Sequence, residues 1–436
     1  MLAVLLAGAA FAVPARADYV PGEVIVRGAT PAALEQAGVT AAGTLPGGAQ
    51  RVRVADGESV RETVAELERH PGVDYAVPNY RAHASAFLPN DPGTGGPGEW
   101  HLIQWNFLGP AGVNAPDAWE IARALGAPGG QGAVVAVLDS GVAYENRGRF
   151  RRAPDLYASR FVHPWDFVGN DAHPDDENGH GTHVTGTIAE RTNNGIGVTG
   201  LAYGVRIMPL RVLDADGVGD STDIARAIRY AARHGADVIN MSLEFPTGDV
   251  TSASDIPEIV SAVRYAHRLG VVVVAAAGNG GDSRIAYPAR TSHVISVGAT
   301  TEHACRAEYS NTGSGLDIVA PGGGLDYTTL PGREADNPRD AATCQTDRTG
   351  RDVFQQTFTT SLRSFGLPDG YEGTSMAAPH VSAAAALLIA THRLGAHPSP
   401  LDVERRLEAT ARDLGHDGPD RRYGAGLLDV AAALAP

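Results

Sequence analysis

From residue 134 onward, short and largely apolar runs rich in β-branched residues recur along the chain. These runs lie at 134–138, 206–213, 238–243, 271–277, 294–297 and 316–319. The amphipathic stretches between them predict helices at 180–191, 222–234 and 256–269. Apolar runs without polar alternation are typical of strands that are buried on both faces. Strand and helix in repetition therefore predict an α/β fold, a parallel sheet with helices on both faces.

The charge and the basic residues of the chain exclude several classes of function. The 436 residues carry a formal net charge of −15, which argues against a nucleic-acid or anionic-membrane partner. The sequence contains no lysine, since all 35 basic residues are arginine. A Schiff-base lysine, a Ser–Lys dyad and a phosphate-binding P-loop lysine are therefore excluded.

The first 17 residues have the composition of an export signal. An apolar run from Leu2 to Val13 precedes the small-x-small ending Ala15-Arg16-Ala17, which is typical of a signal peptide cleaved after Ala17. The alternative is a membrane anchor, but about a dozen apolar residues are too few to span a bilayer. We therefore expect a secreted protein, extracellular or periplasmic, with no membrane contact after the signal is removed.

The remainder of the chain predicts a small domain, a linker and a large domain. Residues 18–84 indicate a small α+β unit of βαβ type. Its predicted elements are two strands and the helix between them, at 22–27, 73–77 and 59–70. A Pro/Gly-rich linker at 85–99 leads to the large domain, residues 100–436.

Two features of the large domain interrupt the strand–helix pattern. Residues 323–372 lack periodicity and are rich in Gly, Asp, Arg and Thr, which predicts an exposed and partly mobile insertion loop. Cys305 and Cys344 could form one disulfide bridge in a secreted chain, and the sequence leaves their state open. A metal or catalytic role is less favoured, because neither cysteine lies in a cluster with ligand spacing.

One stretch of the large domain combines a glycine, a serine and the start of a long apolar helix. Gly373-Thr374-Ser375 precedes the uncharged run 383–390, so we expect a loop to place Ser375 at a helix N-terminus. Free N–H groups at that point could stabilise the oxyanion formed when the serine oxygen attacks a carbonyl. The alternative is a serine N-cap on a core helix.

Three further polar residues have the chemistry that an attacking serine needs. Asp139 ends an apolar strand, His180 begins a helix, and Asn279 follows a strand in an Ala-Gly-Asn-Gly sequence. An imidazole takes the serine proton, a buried carboxylate orients the imidazole, and an amide donates to the oxyanion. Alternatively, Asp139 and Asn279 could cap turns, and His180 with His183 could bind a metal.

Three blocks of sequence around these residues resemble the signature motifs of the subtilisin-like serine proteases. They are Val137-Leu138-Asp139-Ser140-Gly141, His180-Gly181-Thr182-His183-Val184 and 373–381. Their order along the chain, Asp then His then Ser, is that of the family. The resemblance covers residues 100–436 and implies a subtilisin-like fold and a serine endopeptidase that forms an acyl-enzyme.

The resemblance also implies a role for each residue of the site. Asp139 would orient the imidazole, His180 would be the general base, Ser375 the nucleophile and Asn279 the oxyanion donor. His183 would hold a structural position.

Residues 18–84 are similar to the inhibitory propeptide of the same family. The similarity lies chiefly in Val20-Pro21-Gly22-Glu23-Val24-Ile25-Val26 and in Pro78-Asn79-Tyr80. It implies a zymogen whose propeptide serves as intramolecular chaperone and inhibitor. Self-cleavage would remove it somewhere between Ala82 and Pro97.

A substrate-binding groove is implied as well. The substrate backbone would pair with Gly217-Val218-Gly219 and Ser242-Leu243-Glu244. Pairing of this kind uses main-chain hydrogen bonds and does not depend on the identity of the substrate side chains. Glu244 stands where the family usually has glycine, and it could narrow the groove, favour a basic side chain or remain solvated. Ala286 resembles the small floor of the primary pocket, so we expect broad specificity with an apolar preference.

Calcium is the cofactor that the resemblance implies. Asn194 and the carbonyls of Thr192, Ile196 and Val198 would join Asp155 in a loop similar to the family's high-affinity site. The alternative is an ordinary turn.

A second calcium site would be similar to one found in a member of the family. Its ligands would be three carboxylates and one carbonyl oxygen, from Asp166, Asp171, Asp175 and His173. The same segment could equally be a solvated acidic loop.

Two other classes of function remain open. The first is a catalytically silent relative that only binds peptides. The presence of all four catalytic residue types argues against it. The second is an esterase or lipase, against which the chain lacks a G-x-S-x-G elbow and the order Ser, Asp, His. We expect protein or peptide substrates and a monomeric enzyme.

Overall fold

The computed structural model describes residues 19–55, 59–80, 87–327, 344 and 348–436. The chain divides into two units, Met1–Ser85 and Ala86–Pro436. The predicted signal at 1–17 lies outside the described residues. Among the helices that are described, none combines the length and the apolarity required to cross a bilayer.

A four-stranded antiparallel sheet with strand order β2-β3-β1-β4 forms the small unit. Its elements are β1 (Tyr19–Arg27), α1 (Pro31–Gln36), β2 (Thr40–Thr44), β3 (Ala49–Arg53), α2 (Val60–Leu67) and β4 (Tyr75–Tyr80). The fully buried side chains of Val24, Val26, Val52 and Leu67 form the centre of its core.

The α+β character of this unit is confirmed, but its predicted βαβ connectivity is wrong. Strand β1 pairs antiparallel with β4, with Val24 opposite Pro78, whereas a βαβ unit joins parallel strands. The prediction missed β2 because Thr40–Thr44 is exposed along most of its length and shows no apolar alternation. Without that strand, the hairpin that it forms with β3 could not be recognised.

The large unit is organised around a parallel sheet of seven strands in the order β11-β10-β9-β8-β5-β7-β6. The strands are β5 (Val134–Asp139), β6 (Trp165–Asp166), β7 (Arg206–Arg211), β8 (Val238–Met241), β9 (Val272–Ala276), β10 (Ile295–Thr300) and β11 (Ile318–Pro321). The helices are α3 (Ala115–Ala124), α4 (His180–Ala189), α5 (Ser221–Arg233), α6 (Pro257–Arg268), α7 (Thr374–Ala390), α8 (Pro400–Ala409) and α9 (Val430–Leu434).

Helices cover both faces of this sheet, as predicted. Val135 and Val137 of β5 point into the core that contains α7, α3 and α4. Ala136 and Leu138 point into the opposite core, which contains α5 and α6. Because successive side chains of a strand alternate between faces, burial on both sides requires the unbroken apolar runs seen in the sequence.

Parallel strands bring their carboxyl ends to one edge of the sheet, where ligands bind in open α/β folds. Strand β5 ends at Asp139, β8 is followed by Ser242, and β9 is followed after two residues by Asn279. The three strands are neighbours in the order β9-β8-β5. The sheet therefore gathers polar groups that are far apart along the chain.

Parts of the segment 323–372 differ from the exposed loop that was predicted. Residues 328–343 and 345–347 lie outside the described residues, but Asp326, Val353 and Gln355 are at most 1% exposed. A hairpin follows, formed by β12 (Thr357–Ser361) and β13 (Ser364–Gly366). A disulfide joins Cys305 to Cys344, which answers the question that the sequence left open.

The predicted linker at 85–99 is, where described, an integral part of the large unit. The indole of Trp100 donates a hydrogen bond to the carbonyl of Pro89 at 3.1 Å, and the N–H of Gly93 donates to the carbonyl of Gly197 at 2.8 Å. Asp91 is completely buried. The proline and glycine residues of this segment are typical of a flexible linker, but in the structure they form a loop that the buried carboxylate of Asp91 holds in place.

Candidate active site

The carboxyl end of β5 and the first turn of α4 bring Asp139 and His180 into direct contact. The ring Nδ1 of His180 lies 2.7 Å from Oδ1 of Asp139, so Nδ1 carries the proton and donates it to the carboxylate. Asp139 is fully buried and also accepts a hydrogen bond from the N–H of Ser140 at 2.8 Å. This close approach depends on Gly181, because a Cβ there would overlap the carbonyl oxygen of Gly141. The contact therefore fixes the imidazole ring with Nε2 as its unprotonated nitrogen.

The pKa of His180 is raised above its ordinary value by two carboxylates that together outweigh burial. Burial by itself would lower the pKa, since it disfavours the imidazolium. The charge and hydrogen bond of Asp139 raise it, and the charge of Asp176 adds to the effect. The site thus stabilises the imidazolium that forms when His180 accepts a proton.

Asp176, which the sequence analysis did not single out, organises the loop that leads into α4. It is 1% exposed and accepts hydrogen bonds from the Ser140 hydroxyl at 2.9 Å and from Thr182 Oγ1 at 2.6 Å. It also accepts three backbone hydrogen bonds, from the N–H groups of Asn178, Gly179 and Thr182. The sequence did contain a signal from which this role could have been predicted, because an aspartate a few residues before the start of a helix is typical of a capping residue.

His183 lies on the same helix but makes different contacts. Its Nε2 lies 2.9 Å from the carbonyl of Val353, and its ring stacks on Tyr371 with 4.1 Å between centroids. Complete burial lowers the pKa of His183 to about 3, so the ring is neutral. Among the described residues, neither His180 nor His183 belongs to a group of three or more possible metal-ligating side chains, so the geometry does not support the metal-binding alternative.

Ser375 lies in the first turn of α7, at the edge of the sheet where β8 ends. Its hydroxyl lies 3.2 Å from the carbonyl of Ser242, and its own carbonyl accepts a hydrogen bond from the Ser242 hydroxyl at 2.8 Å.

The second contact explains how Pro379 is accommodated. Proline has no N–H to donate to the carbonyl four residues earlier, and the Ser242 hydroxyl supplies that hydrogen bond. Pro379 lies in the second turn of α7, which begins at Thr374.

Asn279 is exposed at the mouth of the cleft, and Thr374 fixes its orientation. The amide oxygen of Asn279 accepts hydrogen bonds from the N–H of Thr374 at 2.8 Å and from its hydroxyl at 2.9 Å. With the oxygen held in this way, the amide nitrogen is the group that faces away from α7. It is therefore available as a donor to a negatively charged oxygen.

One cleft of about 460 Å³ contains nine of the eleven residues that the sequence analysis assigned to catalysis or substrate binding. Its lining includes three of the predicted catalytic residues, His180, Ser375 and Asn279, and both groove segments, Gly217-Val218-Gly219 and Ser242-Leu243-Glu244. The cleft also has apolar walls, from Leu213, Ile224 and Phe245. Two of the sequence-derived residues lie behind this surface, because Asp139 and Ala286 are at most 1% exposed.

The loop predicted to bind calcium contains buried carboxylates that form no salt bridge within the described residues, although the charge of Arg191 acts on Asp155. Asp155 is fully buried, one of its oxygens accepts a hydrogen bond from the Asn194 amide at 2.6 Å, and the other has no partner. Asp91 is fully buried too and accepts hydrogen bonds from the N–H groups of Asn193, Asn194 and Gly195. Burial raises the pKa of Asp155 to about 8, the Asn194 hydrogen bond opposes the rise, and the charge of Asp91 adds to it.

These groups fit a hard divalent cation, which prefers carboxylate and carbonyl oxygens. The sequence analysis did not include Asp91 in the calcium site because it assigned that residue to the linker. It also left out the buried Glu190, whose charge interacts with those of Asp155 and Asp91. The amide nitrogen of Asn194 faces Asp155, so ligation through its oxygen requires the amide to flip. Thr192, Ile196 and Val198 lie in the same loop, as predicted.

Arginines already neutralise two of the three carboxylates of the second predicted calcium site. Asp166 pairs with Arg211 at 3.0 Å, and Asp175 accepts a hydrogen bond from Nε of Arg147 at 3.0 Å. Asp171 Oδ1 accepts a hydrogen bond from the N–H of His173. Asp166 and Asp175 are thus paired with arginines, whereas Asp155 forms no salt bridge within the described residues.

Comparison with known proteins agrees with this architecture. A profile of the Subtilase family matches residues 130–426, and a profile of the Fervidolysin N-terminal prodomain matches residues 6–79. The chain is 34% identical over 413 residues to the Thermophilic serine proteinase of Bacillus sp. (strain AK1), covering 93% of this chain and 86% of that protein. It is 36% identical over 332 residues to Thermitase of Thermoactinomyces vulgaris, covering 76% of this chain and 94% of that protein.

A solved structure described as proteases from Pseudoalteromonas arctica PAMC 21717 is similar as well. It matches with a TM-score of 0.61 and 30% sequence identity, over 80% of this chain and 99% of that chain. This similarity supports the α/β fold described above.

Replacing Asp176 by asparagine should move the acidic limb of the pH profile of kcat/KM to lower pH. The neutral side chain no longer stabilises the imidazolium, so the pKa of His180 falls, and the limb should shift by up to about one unit. A matched control is Glu177→Gln, because Glu177 pairs with Arg149 and is not among the groups that raise the pKa of His180. An unshifted limb in Asp176→Asn would contradict this electrostatic role.

Proposed function

This chain belongs to the subtilase family and is a subtilisin-like serine protease with an N-terminal prodomain, and we propose that Asp139, His180 and Ser375 form its catalytic triad. The observation that carries the assignment is the 2.7 Å contact between His180 and the buried Asp139, next to a cleft that His180 shares with Ser375. Asn279 is the proposed oxyanion donor.

The proposed reaction follows from the positions of the protons. The Ser375 hydroxyl turns from the Ser242 carbonyl towards His180, gives its proton to Nε2, and attacks the carbonyl carbon of the scissile peptide bond. Asp139 stabilises the resulting imidazolium through Nδ1. The amide nitrogen of Asn279 donates to the oxyanion.

The tetrahedral intermediate collapses when His180 Nε2 returns its proton to the leaving nitrogen. The C–N bond breaks and leaves an acyl-enzyme on Ser375. A water molecule, deprotonated by His180, then attacks the ester and releases the carboxylic acid, which restores the serine hydroxyl. Every proton transfer in this scheme uses one imidazole, whose orientation the buried carboxylate maintains.

We further propose that the protein is secreted as a zymogen and processes itself. The prodomain match to residues 6–79 supports an N-terminal inhibitor, and the composition of residues 1–17 supports export. The cleavage window narrows from the expected 82–97, because a cut after Asp91 would separate a fully buried carboxylate from the large unit. The mature chain should therefore begin between Ala82 and Asn90.

The substrates are proposed to be proteins or peptides of broad sequence, with an apolar preference along the cleft. Leu213, Val218 and Ile224 offer apolar surface on one side, and burial of apolar side chains against such walls is favourable. The proposed monomer needs no second subunit, since the described cleft is formed by one chain.

A structural calcium ion is proposed at the loop around Asp155. Asp91, Asp155 and the amide oxygen of Asn194 would be ligands together with the carbonyls of the loop, from Thr192, Ile196 and Val198. The ion would neutralise buried negative charge and take no part in the peptide hydrolysis. The second site, with Asp166, Asp171, His173 and Asp175, is the less favoured proposal because arginines pair with Asp166 and Asp175.

Replacing Ser375 by alanine should abolish both peptide hydrolysis and self-processing. Loss of the nucleophile should lower turnover by about a millionfold, the magnitude measured for subtilisin itself, and the variant should accumulate as an unprocessed precursor. Activity is measured on a casein substrate, and processing by N-terminal sequencing of the product.

A control separates loss of chemistry from loss of folding. The Ser375→Ala precursor is incubated with a trace of active enzyme, which should cleave it between Ala82 and Asn90 to a protease-resistant domain. A Ser375→Ala chain that still processes itself at the rate of the original protein would refute the proposed nucleophile.

Removal of calcium should destabilise the protein through the site around Asp155. A cation present at about a hundred times its Kd stabilises the folded state by about 2.7 kcal/mol, so a chelator should lower the midpoint of thermal unfolding. Asp155→Asn should be insensitive to the chelator, and in chelator it should be at least as stable as the original protein because one buried charge is removed.

Asp175→Asn is the matched control for this experiment. It removes a carboxylate that Arg147 already neutralises, so it should keep the full response to chelator. If the midpoint of the original protein does not change on chelation, or if Asp175→Asn rather than Asp155→Asn loses the response, the assignment is wrong.

A further inference from the structure

The carboxylate of Glu244 lies between the two loops that border the catalytic cleft. One loop follows β8 and contains Ser242 and Glu244, and the other follows β9 and contains Gly278 and Asn279. The Oε1 atom of Glu244 accepts a hydrogen bond from the backbone N–H of Asn279 at 3.0 Å. The other oxygen, Oε2, lies 2.5 Å from where a Cβ on Gly278 would be. The side chain therefore crosses from one wall of the cleft to the other.

This carboxylate has no cationic partner in the part of the chain that the structure describes. It is half-buried, and burial raises the pKa of Glu244 above its ordinary value. The hydrogen bonds from Asn279 oppose the rise, while the nearby charge of Asp282 adds to it. A partly desolvated carboxylate next to another acid gains much from a cation that reaches it.

The position of Glu244 determines which substrate residue it meets. Ser375 attacks the scissile carbonyl carbon and Asn279 donates to its oxygen, so that carbonyl lies next to both residues. The side chain on the acyl side of the bond (P1) leaves from the adjacent Cα. Because Glu244 hydrogen-bonds to Asn279 itself, the P1 side chain is the one that reaches its carboxylate.

We propose that Glu244 makes the P1 subsite selective for a cationic side chain, arginine or lysine. The inference rests on the proposed function, and at this one subsite it replaces the apolar preference expected from Ala286 by a preference for a cation. The aliphatic stem of either side chain packs on the apolar part of the cleft near Leu243, and its charged end pairs with Glu244. Arginine adds the planar geometry that suits a carboxylate.

The same charge affects the chemical step for neutral substrates. A carboxylate beside Asn279 repels the negative oxygen that forms in the transition state, and the Asn279 side chain is within hydrogen-bonding reach of Glu244 as well as of the oxyanion. A P1 cation offsets this repulsion, but a P1 leucine does not. Glu244 therefore acts in opposite directions on the two classes of substrate.

The test compares peptides that differ only at P1, with arginine, lysine, leucine or glutamate at that position. The mature protein should cleave the arginine peptide at least about tenfold faster than the leucine peptide, as judged by kcat/KM, since each 1.4 kcal/mol of a charge pair is a factor of ten. The ratio should fall as ionic strength rises.

Three variants separate the charge of Glu244 from its shape. Glu244→Gln should lower kcat/KM for the arginine peptide by about tenfold or more. It should leave kcat/KM for the leucine peptide unchanged or raise it. Glu244→Gly should change both values in the same directions. Asp249→Asn removes an exposed acid from the same loop, outside the cleft lining, and should leave the arginine-to-leucine ratio unchanged.

The possible results distinguish this inference from the proposed function. Cleavage of the leucine peptide as fast as the arginine peptide, or an arginine-to-leucine ratio that Glu244→Gln leaves unaltered, would overturn the role of Glu244 while the protease assignment stands. Failure to cleave any of the four peptides would overturn both.

Discussion

The arrangement of the cleft depends on the close approach of the carboxyl end of β5 to the first turn of α4. Gly181 permits that approach, because any side chain would overlap the backbone of Gly141. The result is a buried aspartate 2.7 Å from a histidine that remains 26% exposed. A buried carboxylate without this partner would be costly, so the contact stabilises the fold at the same time as it prepares the imidazole to accept a proton.

Negative charge that the protein does not neutralise recurs at the places where the structure has chemistry to perform. Asp139 contacts an imidazole, the charges of Asp91 and Asp155 interact with each other, and Glu244 lines the cleft with Asn279 as its hydrogen-bond partner. Other acids pair with arginines, as Asp175 does with Arg147 and Asp166 with Arg211. We assign three kinds of positive partner to the first three places: an imidazolium during catalysis, a divalent metal ion and a cationic substrate side chain.

Much of the fold could be predicted from the sequence because its signals are local. The largely apolar runs identified six of the seven strands of the parallel sheet. Asp139, which ends β5, and Asn279, which follows β9, were recognised by the chemistry of their side chains. Strand β6 was missed because Trp165–Asp166 is only two residues long. The antiparallel strand Thr40–Thr44 was missed because small, exposed residues carry no alternation.

The parts that could not be predicted depend on contacts between distant segments. Asp91 resembles a linker residue until the loop after α4 wraps its carboxylate with backbone N–H groups. Asp176 looks like one more acid in an acidic loop until its hydrogen bonds to Ser140 and Thr182 are seen. Glu244 was recognised as a departure from the family pattern, but only the structure shows that it hydrogen-bonds to Asn279. In each case the sequence contains the residue, whereas the partner is brought to it by folding.

The central claim is that one buried carboxylate, one imidazole and one hydroxyl act together at this edge of the sheet. It is tested most directly by treating the mature protein with a fluorophosphonate and locating the adduct by peptide mass spectrometry. The account predicts a single adduct, on Ser375, and almost no labelling after His180→Ala, since an unactivated serine is a poor nucleophile. An adduct on any other residue, or labelling of Ser375 at an undiminished rate in His180→Ala, would contradict it.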